Sequence, residues 1–239
     1  MSTETQTDQD TKQTEVQEFL DARQQRRWIF PRAALVGLCA GSVALLFRVA
    51  LSTADKLRNQ LILWSQDQAA GWILPVLLSL FGAVLAVYLT RKFAPEAAGS
   101  GIPHLESVLL RVRQFRWGRV LPVKFFGGII ALGSGLALGR EGPTVQMGGA
   151  VGAGISRLLK TSERERITLI SAGAGAGLAA AFNAPLAGLI FVLEEVRRDF
   201  QPIVFGATFI AAVIADIVAR IGTSQFPVFT VPRYDLPPL

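Results

Sequence analysis

The sequence predicts an all-α protein that crosses a membrane several times. Of its 239 residues, 51% are hydrophobic and only 18% are charged, whereas an average soluble domain carries roughly 25% charged residues. The apolar residues occur in long blocks rather than in alternation with polar ones. Since about 20 apolar residues are enough for a helix to cross a hydrocarbon core of about 30 Å, these blocks predict membrane spans.

Three windows are long and apolar enough to be such spans. Gly71–Thr90 contains no charged side chain. Phe30–Val49 carries two arginines near its ends, where long basic side chains reach the membrane surface. Pro202–Gly222 is the third window, and its Asp216 and Arg220 have the i,i+4 spacing of an ion pair on one helix face.

The basic residues predict which way the chain enters the membrane. They lie at the ends of the apolar windows, whereas the segment 52–70 between the first two windows has only Lys56 and Arg58. Because positive loops stay on the cytoplasmic side, we expect the N-terminus and the segment 91–120 in the cytoplasm. The net charge of +6 therefore reflects membrane topology, and no nucleic-acid partner is expected. The basic residues behind this assignment are Arg23, Arg26, Arg27, Arg32, Arg91 and Lys92.

The composition divides the chain into three parts. Residues 1–27 are polar and lack the apolar core of a secretory signal, so we expect a disordered cytoplasmic tail that ends in a surface helix over 18–27. Residues 28–222 form the membrane domain. Residues 223–239 are rich in proline and read as a tail or the start of a linker. The single cysteine, Cys39, excludes a disulfide within the chain and a cysteine metal cluster.

After Pro95, glycine and proline interrupt the membrane domain at three places: residues 98–103, 139–143 and 182–185. These breaks predict discontinuous helices. The N-terminus of a half-helix has free N–H groups and a positive dipole end, and it binds anions when it points into the membrane. Ser100 precedes one predicted helix start at Pro103, and Gly142-Pro143 has the same form at another.

Glu141 lies inside the second break, beside Arg140 and within an otherwise apolar stretch. A carboxylate at membrane depth is costly and usually functional, so the sequence predicts an ion site here. The glycine pairs 135/139, 148/152 and 173/177 have the spacing of close helix contacts. Packing within one chain is favoured for them, and dimerisation is the alternative.

Four motifs in this order resemble the CLC family of chloride channels and proton-coupled chloride transporters, bacterial members above all. They are Gly-Ser-Gly-Ile-Pro at 99–103, Leu-Pro-Val-Lys-Phe-Phe-Gly-Gly at 121–128, Gly-Arg-Glu-Gly-Pro at 139–143 and Ala-Ala-Phe-Asn-Ala-Pro-Leu-Ala-Gly at 180–188. The likeness extends from about residue 30 to about residue 222. It implies an inverted-repeat CLC fold, of which this chain contains the N-terminal half, with broken and half-length helices.

The resemblance also implies roles for particular residues. Glu141 matches the gating glutamate, which also carries protons, and Glu195 matches the inner proton-transfer glutamate of the exchangers. The transported ions would be chloride and protons, with no catalytic residue, metal or cofactor, in a homodimer in the inner membrane. The anion-binding positions would be Ser100, Gly101, Ile102, Gly142 and Pro143.

The chain departs from the family in length. The second repeat of the family supplies a Gly-x-Phe-x-Pro motif and an anion-contacting tyrosine, and neither is found here. We expect a piece of a longer reading frame, with a natural half that assembles with a second half or with itself as the alternative. The competing functions are a passive channel, an inactive half-subunit and, with least support, a membrane enzyme using Glu141 as general base.

Overall fold

In the computed structural model, which describes residues 2–66, 68, 70–198 and 200–223, every regular element is helical. A 3₁₀ turn, Pro95–Ala97, and a π-helical turn, Val192–Arg197, separate some of the α-helices. The α-helices are α1 (Ser2–Gln66), α2 (Ile73–Phe93), α3 (Ile102–Leu109), α4 (Trp117–Gly133), α5 (Glu141–Leu158), α6 (Glu163–Phe182), α7 (Pro185–Phe191) and α8 (Pro202–Thr223).

The three predicted spans are confirmed as helices long and apolar enough to cross a membrane: Trp28–Gln66 within α1, Ile73–Phe93 and Pro202–Gly222. The first span is longer than the predicted window Phe30–Val49, because α1 continues to Gln66 and includes most of the segment between the first two windows. Residues 52–66 contain no glycine or proline to end the helix. An i,i+3 ion pair between Asp55 and Arg58, at 2.8 Å, lies on this extension.

The predicted division of the chain into tail, membrane domain and linker stays a prediction. The backbone of α1 is already helical at Ser2, within the part for which a disordered tail is expected. The proline-rich segment 224–239 lies outside the described residues.

Helix α6 is the centre of the fold, with α1, α5 and α8 packed around it. It begins with a capping box, in which Ser162 accepts from the Glu165 N–H and the Glu165 carboxylate accepts from the Ser162 N–H. The same carboxylate binds Arg32 of α1 through both oxygens, at 2.8 and 2.9 Å. This ion pair fixes the start of α6 against the start of the first span.

The α5–α6 contact is close because glycines face each other across it. A Cβ on Gly148 would collide with the backbone of Gly173, and one on Gly177 would collide with that of Thr144. The prediction of close packing within one chain is confirmed for these pairs, whereas Gly135 and Gly139 lie in the segment between α4 and α5. In contrast, α2 buries only Gly82 among its residues, so its apolar surface is free to face lipid.

All three predicted helix breaks are present. Helix α3 begins after Gly101, whose φ is +86°, a conformation that glycine adopts without steric cost. Helix α5 begins at Glu141, and α6 ends before Asn183, whose φ is +56°. Asn183 is fixed by the two neighbouring spans: its side-chain oxygen accepts from Arg48 of α1 at 3.2 Å, and its carbonyl accepts from Arg220 of α8 at 2.8 Å.

Arg220 is itself oriented by a neighbour on its own helix. Its Nε donates to Asp216 at 2.7 Å, which confirms the i,i+4 pair that the spacing predicts. Asp216 is buried, so the pair brings a charged group of α8 to the end of α6. The break between α6 and α7 is therefore held by charged side chains from both flanking spans.

Candidate functional site

Two helix N-termini, those of α3 and α5, lie in contact with each other. A Cβ placed on Gly142 would lie 2.7 Å from the Ser100 carbonyl oxygen and 2.9 Å from the Ser100 Cα. Only glycine at position 142 permits this approach. The contact brings the residues predicted to bind an anion, from two separate segments, to one place.

Ser100 immediately precedes the first turn of α3. Its hydroxyl oxygen accepts a long hydrogen bond, 3.4 Å, from the Ile102 N–H, and its side chain is otherwise exposed. Pro103 has no N–H, and Leu105 donates to the Gly101 carbonyl at 3.0 Å. The first turn of α3 thus presents an N–H end and a hydroxyl to the same space, which is an arrangement suited to an anion.

Glu141 is the first residue of α5, and its carboxylate folds back over the preceding turn. A Cβ on Gly139 would lie 2.5 Å from Glu141 Oε2, and the Thr144 hydroxyl donates to the Glu141 carbonyl at 2.8 Å. The carboxylate forms no hydrogen bond or ion pair with the other described residues. It lies at the positive end of α5, where negative charge is stabilised by the helix dipole.

The Glu141 side chain borders a cavity of about 970 Å³ between the C-terminal part of α1, the start of α2 and the segment joining α4 to α5. Among the described lining residues, the basic side chains outnumber the acidic ones. Arg140, next to Glu141, is close enough to Arg48 for the two guanidinium groups to repel each other. The cavity therefore attracts anions towards Glu141. Its charged lining residues are Arg48, Asp55, Lys56, Arg58, Arg140 and Glu141.

Two further residues position the loop that carries Ser100, and the sequence analysis assigned no role to either. Lys124 of α4 is buried, and its ammonium group donates to the carbonyls of Ala97, at 2.9 Å, and Gly99, at 2.6 Å. Gln146 of α5 is fully buried and donates to the Glu96 carbonyl at 2.8 Å. The sequence pattern could have identified Lys124 as a candidate, because it is the only charged residue between Leu121 and Leu138.

Glu195 lies away from these two N-termini. It is exposed on the π-helical turn that follows α7. This turn packs against α3, and both elements contribute buried residues to one apolar cluster, Val196 and Val108 among them. No hydrogen bond or ion pair joins Glu195 to Ser100 or Glu141 within the described ranges. The structure therefore places Glu195 on an element in contact with the Ser100-bearing helix, but not at the site itself.

His104, in the first turn of α3, does not lie at the surface. It is buried, with 8% of its surface exposed, and its ring packs edge-on against Phe115 with centroids 5.2 Å apart. The residues that the structure describes contain no group of three or more His, Cys, Asp or Glu residues suited to hold a metal ion.

Comparisons with known proteins point to one family. The family described as "Voltage gated chloride channel" matches residues 82–239. The H(+)/Cl(-) exchange transporter ClcA of Vibrio cholerae is 49% identical over 212 residues, which cover 86% of this chain and 45% of that protein. ClcA of Citrobacter koseri is 44% identical over 211 residues, again covering 45% of its length. The chain thus spans somewhat less than half the length of these relatives.

Solved structures agree on the fold. A slow cyanobacterial Cl⁻/H⁺ antiporter is 35% identical with a TM-score of 0.80, and the match covers 88% of this chain and 50% of that one. A eukaryotic CLC transporter is 27% identical with a TM-score of 0.71, covering 82% and 38% of the two chains. Both matches support an N-terminal portion of the CLC fold. The chain belongs to the voltage gated chloride channel family.

Proposed function

We propose that this chain forms the first repeat of a proton-coupled chloride antiporter and works with a complementary second repeat. The contact between Ser100 and Gly142 carries the proposal, because it joins the helix N-terminus that bears a hydroxyl to the one that bears a carboxylate. The similarity to ClcA exchangers supports the same function.

Chloride would bind between the two N-termini. The Ser100 hydroxyl and the free N–H groups of the first turns of α3 and α5 would donate to the ion, with Gly101, Ile102, Gly142 and Pro143 shaping the site. Such donors bind an anion without a full positive charge, so the ion is held but can also leave. The basic cavity on the other side of Glu141 would raise the local chloride concentration.

Glu141 would couple chloride to protons. Its carboxylate is an anion at the positive end of α5, so it competes with chloride for the same donors. Protonation removes its charge and releases it from that position, and chloride then takes its place. Proton occupancy and chloride occupancy are thereby linked through one side chain, and such linkage is reciprocal for binding free energies.

Glu195 would carry protons between Glu141 and the cytoplasm. Its exposure on a turn packed against α3 supports a position at the inner entrance. We further propose that the protein lies in the inner membrane with its N-terminus in the cytoplasm, as the basic residues indicate, and that its partners are the bilayer and either a second copy of the chain or a complementary half.

The test is transport in proteoliposomes that contain the chain together with a second repeat, supplied either in frame or as a separate polypeptide. A chloride gradient should drive uphill proton movement. Glu195→Gln should abolish the proton movement and keep chloride flux, whereas Glu141→Gln should abolish coupling and leave chloride flux without its pH dependence. We expect no flux from the isolated chain as a monomer.

Two alternatives predict other results. A passive channel would carry chloride with no proton movement in the unmodified protein, and Glu195→Gln would then change nothing. An inactive half-subunit would assemble with the second repeat but carry neither ion. Chloride flux from purified monomers of the chain alone would contradict the requirement for a second repeat.

A further inference from the structure

A buried polar pair, His104 and Gln146, lies directly beneath the loop that carries Ser100. This loop, residues 98–101, is called the Ser100 loop below. Gln146 belongs to α5, the helix that begins at Glu141, and none of its surface is exposed. A Cβ on Gly101 would collide with the Gln146 side chain, so the loop rests on this residue.

The Gln146 amide nitrogen connects the two ends of the Ser100 loop. It lies 2.8 Å from the Glu96 carbonyl, which precedes the loop, and 3.2 Å from His104 Nδ1, which follows it. In addition, the Lys124 ammonium group donates to the carbonyls of Ala97 and Gly99. The loop is therefore fixed to α5 by Gln146 and to α4 by Lys124.

The hydrogen-bond pattern determines the protonation state of His104. A backbone carbonyl only accepts, so the Gln146 atom that faces Glu96 must be the amide nitrogen. That nitrogen also faces His104 Nδ1, which must then be the acceptor. The proton of the ring is consequently on Nε2, and the imidazole is neutral.

We propose that His104 and Gln146 are positioning residues for the anion site, and that they hold the Ser100 loop in place only while His104 is neutral. Protonation would put a hydrogen on Nδ1 facing the Gln146 NH₂ group. Rotation of the amide would let Gln146 Oε1 accept from Nδ1, but it would then turn Oε1 towards the Glu96 carbonyl and break the bond that anchors the loop.

The surroundings of His104 favour the neutral ring. Burial is the main cause that lowers the His104 pKa below its usual value, the Glu96 carboxylate opposes this, and Arg113 and Lys124 add to it. Arg116 lies 3.8 Å from the Glu96 carboxylate and weakens its effect. His104 Nε2 and Gln146 Oε1 have no hydrogen-bond partner, so no described group stands ready to stabilise the charged ring.

The first experiment uses the fact that His104 is the only histidine of the chain. In the chain uniformly labelled with ¹⁵N in nanodiscs, where the one imidazole signal belongs to His104, NMR should find the proton on Nε2 near neutral pH and a pKa below about 6.5. The amide signals of Ser100 and Gly101 should shift with the same pKa. A proton on Nδ1 near neutral pH would overturn the proposal, and so would Ser100 and Gly101 amide shifts that do not change as His104 titrates.

The variant His104→Gln distinguishes a role that depends on the protonation of His104 from a merely structural role. A glutamine oxygen can accept from Gln146 as Nδ1 does, but it does not titrate, so the Ser100 and Gly101 amides should keep their neutral-pH positions in acid. Gln146→Met removes both hydrogen bonds at similar volume, and it should shift these amides at every pH. Loop amides in His104→Gln that still shift as in the unmodified chain would contradict the proposal.

Chloride binding to the chain assembled with a second repeat provides the second measurement, and this step alone rests on the proposed function. Between about pH 8 and pH 5.5, a range that spans the usual histidine pKa, the unmodified chain should lose chloride affinity about fivefold or more relative to His104→Gln. Glu141 is present in both proteins, so its own titration cancels in this comparison. Equal losses would overturn the proposal. Absence of chloride binding at every pH would contradict the proposed anion site. The NMR results would still decide whether His104 and Gln146 anchor the Ser100 loop in a pH-dependent way.

Discussion

Ser100 and Gly142 lie in direct contact, so that helices α3 and α5 begin side by side. Ser100 immediately precedes the short helix that follows the second span, and Gly142 follows the carboxylate of the next break. The contact converts two separate sequence motifs into one site, because it sets an exposed hydroxyl beside a helix end that already holds Glu141.

We expect Gly142→Ala to disrupt this contact. The added methyl group would lie 2.7 Å from the Ser100 carbonyl oxygen, and overpacking of this kind costs about 1–3 kcal/mol. Gly118→Ala is the matched control, since a Cβ at Gly118 would meet no atom within 4 Å. Thermal unfolding in detergent should show a loss for Gly142→Ala and none for Gly118→Ala. Equal stability of the two variants would contradict the close approach.

The second prediction concerns Asn183, which joins α1, α6 and α8. Asn183→Gly keeps the left-handed backbone but loses the hydrogen bond from Arg48, so it should cost about 1 kcal/mol. Asn183→Ala should cost about 1 kcal/mol more, because alanine is strained at a φ of +56°. Denaturant unfolding of both variants measures the difference. If alanine proved no worse than glycine, the left-handed conformation at this position would be wrong.

The third prediction compares two ion pairs of α6. Glu165→Gln retains an oxygen for the capping box but loses the charge that binds Arg32, and the side chain of Glu165 is only 10% exposed. We expect a loss of about 1–3 kcal/mol in the free energy of unfolding. Glu163→Gln removes an i,i+3 pair whose carboxylate is 49% exposed, and it should change stability by less than about 0.5 kcal/mol. A double mutant with Arg32→Gln should show that the Glu165 effect depends on Arg32.

The fourth prediction is a pH dependence of stability that comes from His104. Because its pKa is lower in the folded state than the ordinary value of 6.5, the unfolded chain binds the proton more readily. Stability is therefore at its full value above about pH 6.5 and decreases as the pH falls towards the folded pKa. His104→Gln should lack this component, so the difference between the two unfolding curves should grow in acid. A difference that is constant from about pH 8 to pH 5 would show that the folded pKa is not lowered.

The sequence predicted more of the secondary structure than of the site. The three spans and the three helix breaks follow from hydrophobic length and from glycine and proline, which act locally. The end of the first span was predicted too early, because the polar and charged residues at 52–60 resemble a loop in composition although no glycine or proline among residues 52–66 stops the helix. The burial of His104 also depends on distant segments, since one polar residue after a proline carries no sign of what covers it.

The contacts of the residues that position the site could not be predicted from local sequence patterns either. Lys124 and Gln146 act on carbonyls far from them in sequence, at Ala97, Gly99 and Glu96, and no local pattern indicates which carbonyl a buried donor will reach. Glu195 could be chosen only by resemblance, and the structure places it on a turn next to α3 rather than beside Glu141.

The sequence by itself determined that this chain is a helical membrane protein with three long spans, discontinuous helices and a carboxylate at one of the breaks. Only the tertiary structure decided that Ser100 lies against Gly142, that Gln146 lies under Gly101, and that glycines let α5 and α6 pack at backbone distance. Hydrophobicity and backbone propensity depend on neighbouring residues and can be seen in the sequence. The approach of two distant segments depends on packing between helices. A glycine on one helix must face the backbone of the other for the two to come this close, and no local pattern shows which pair will do so.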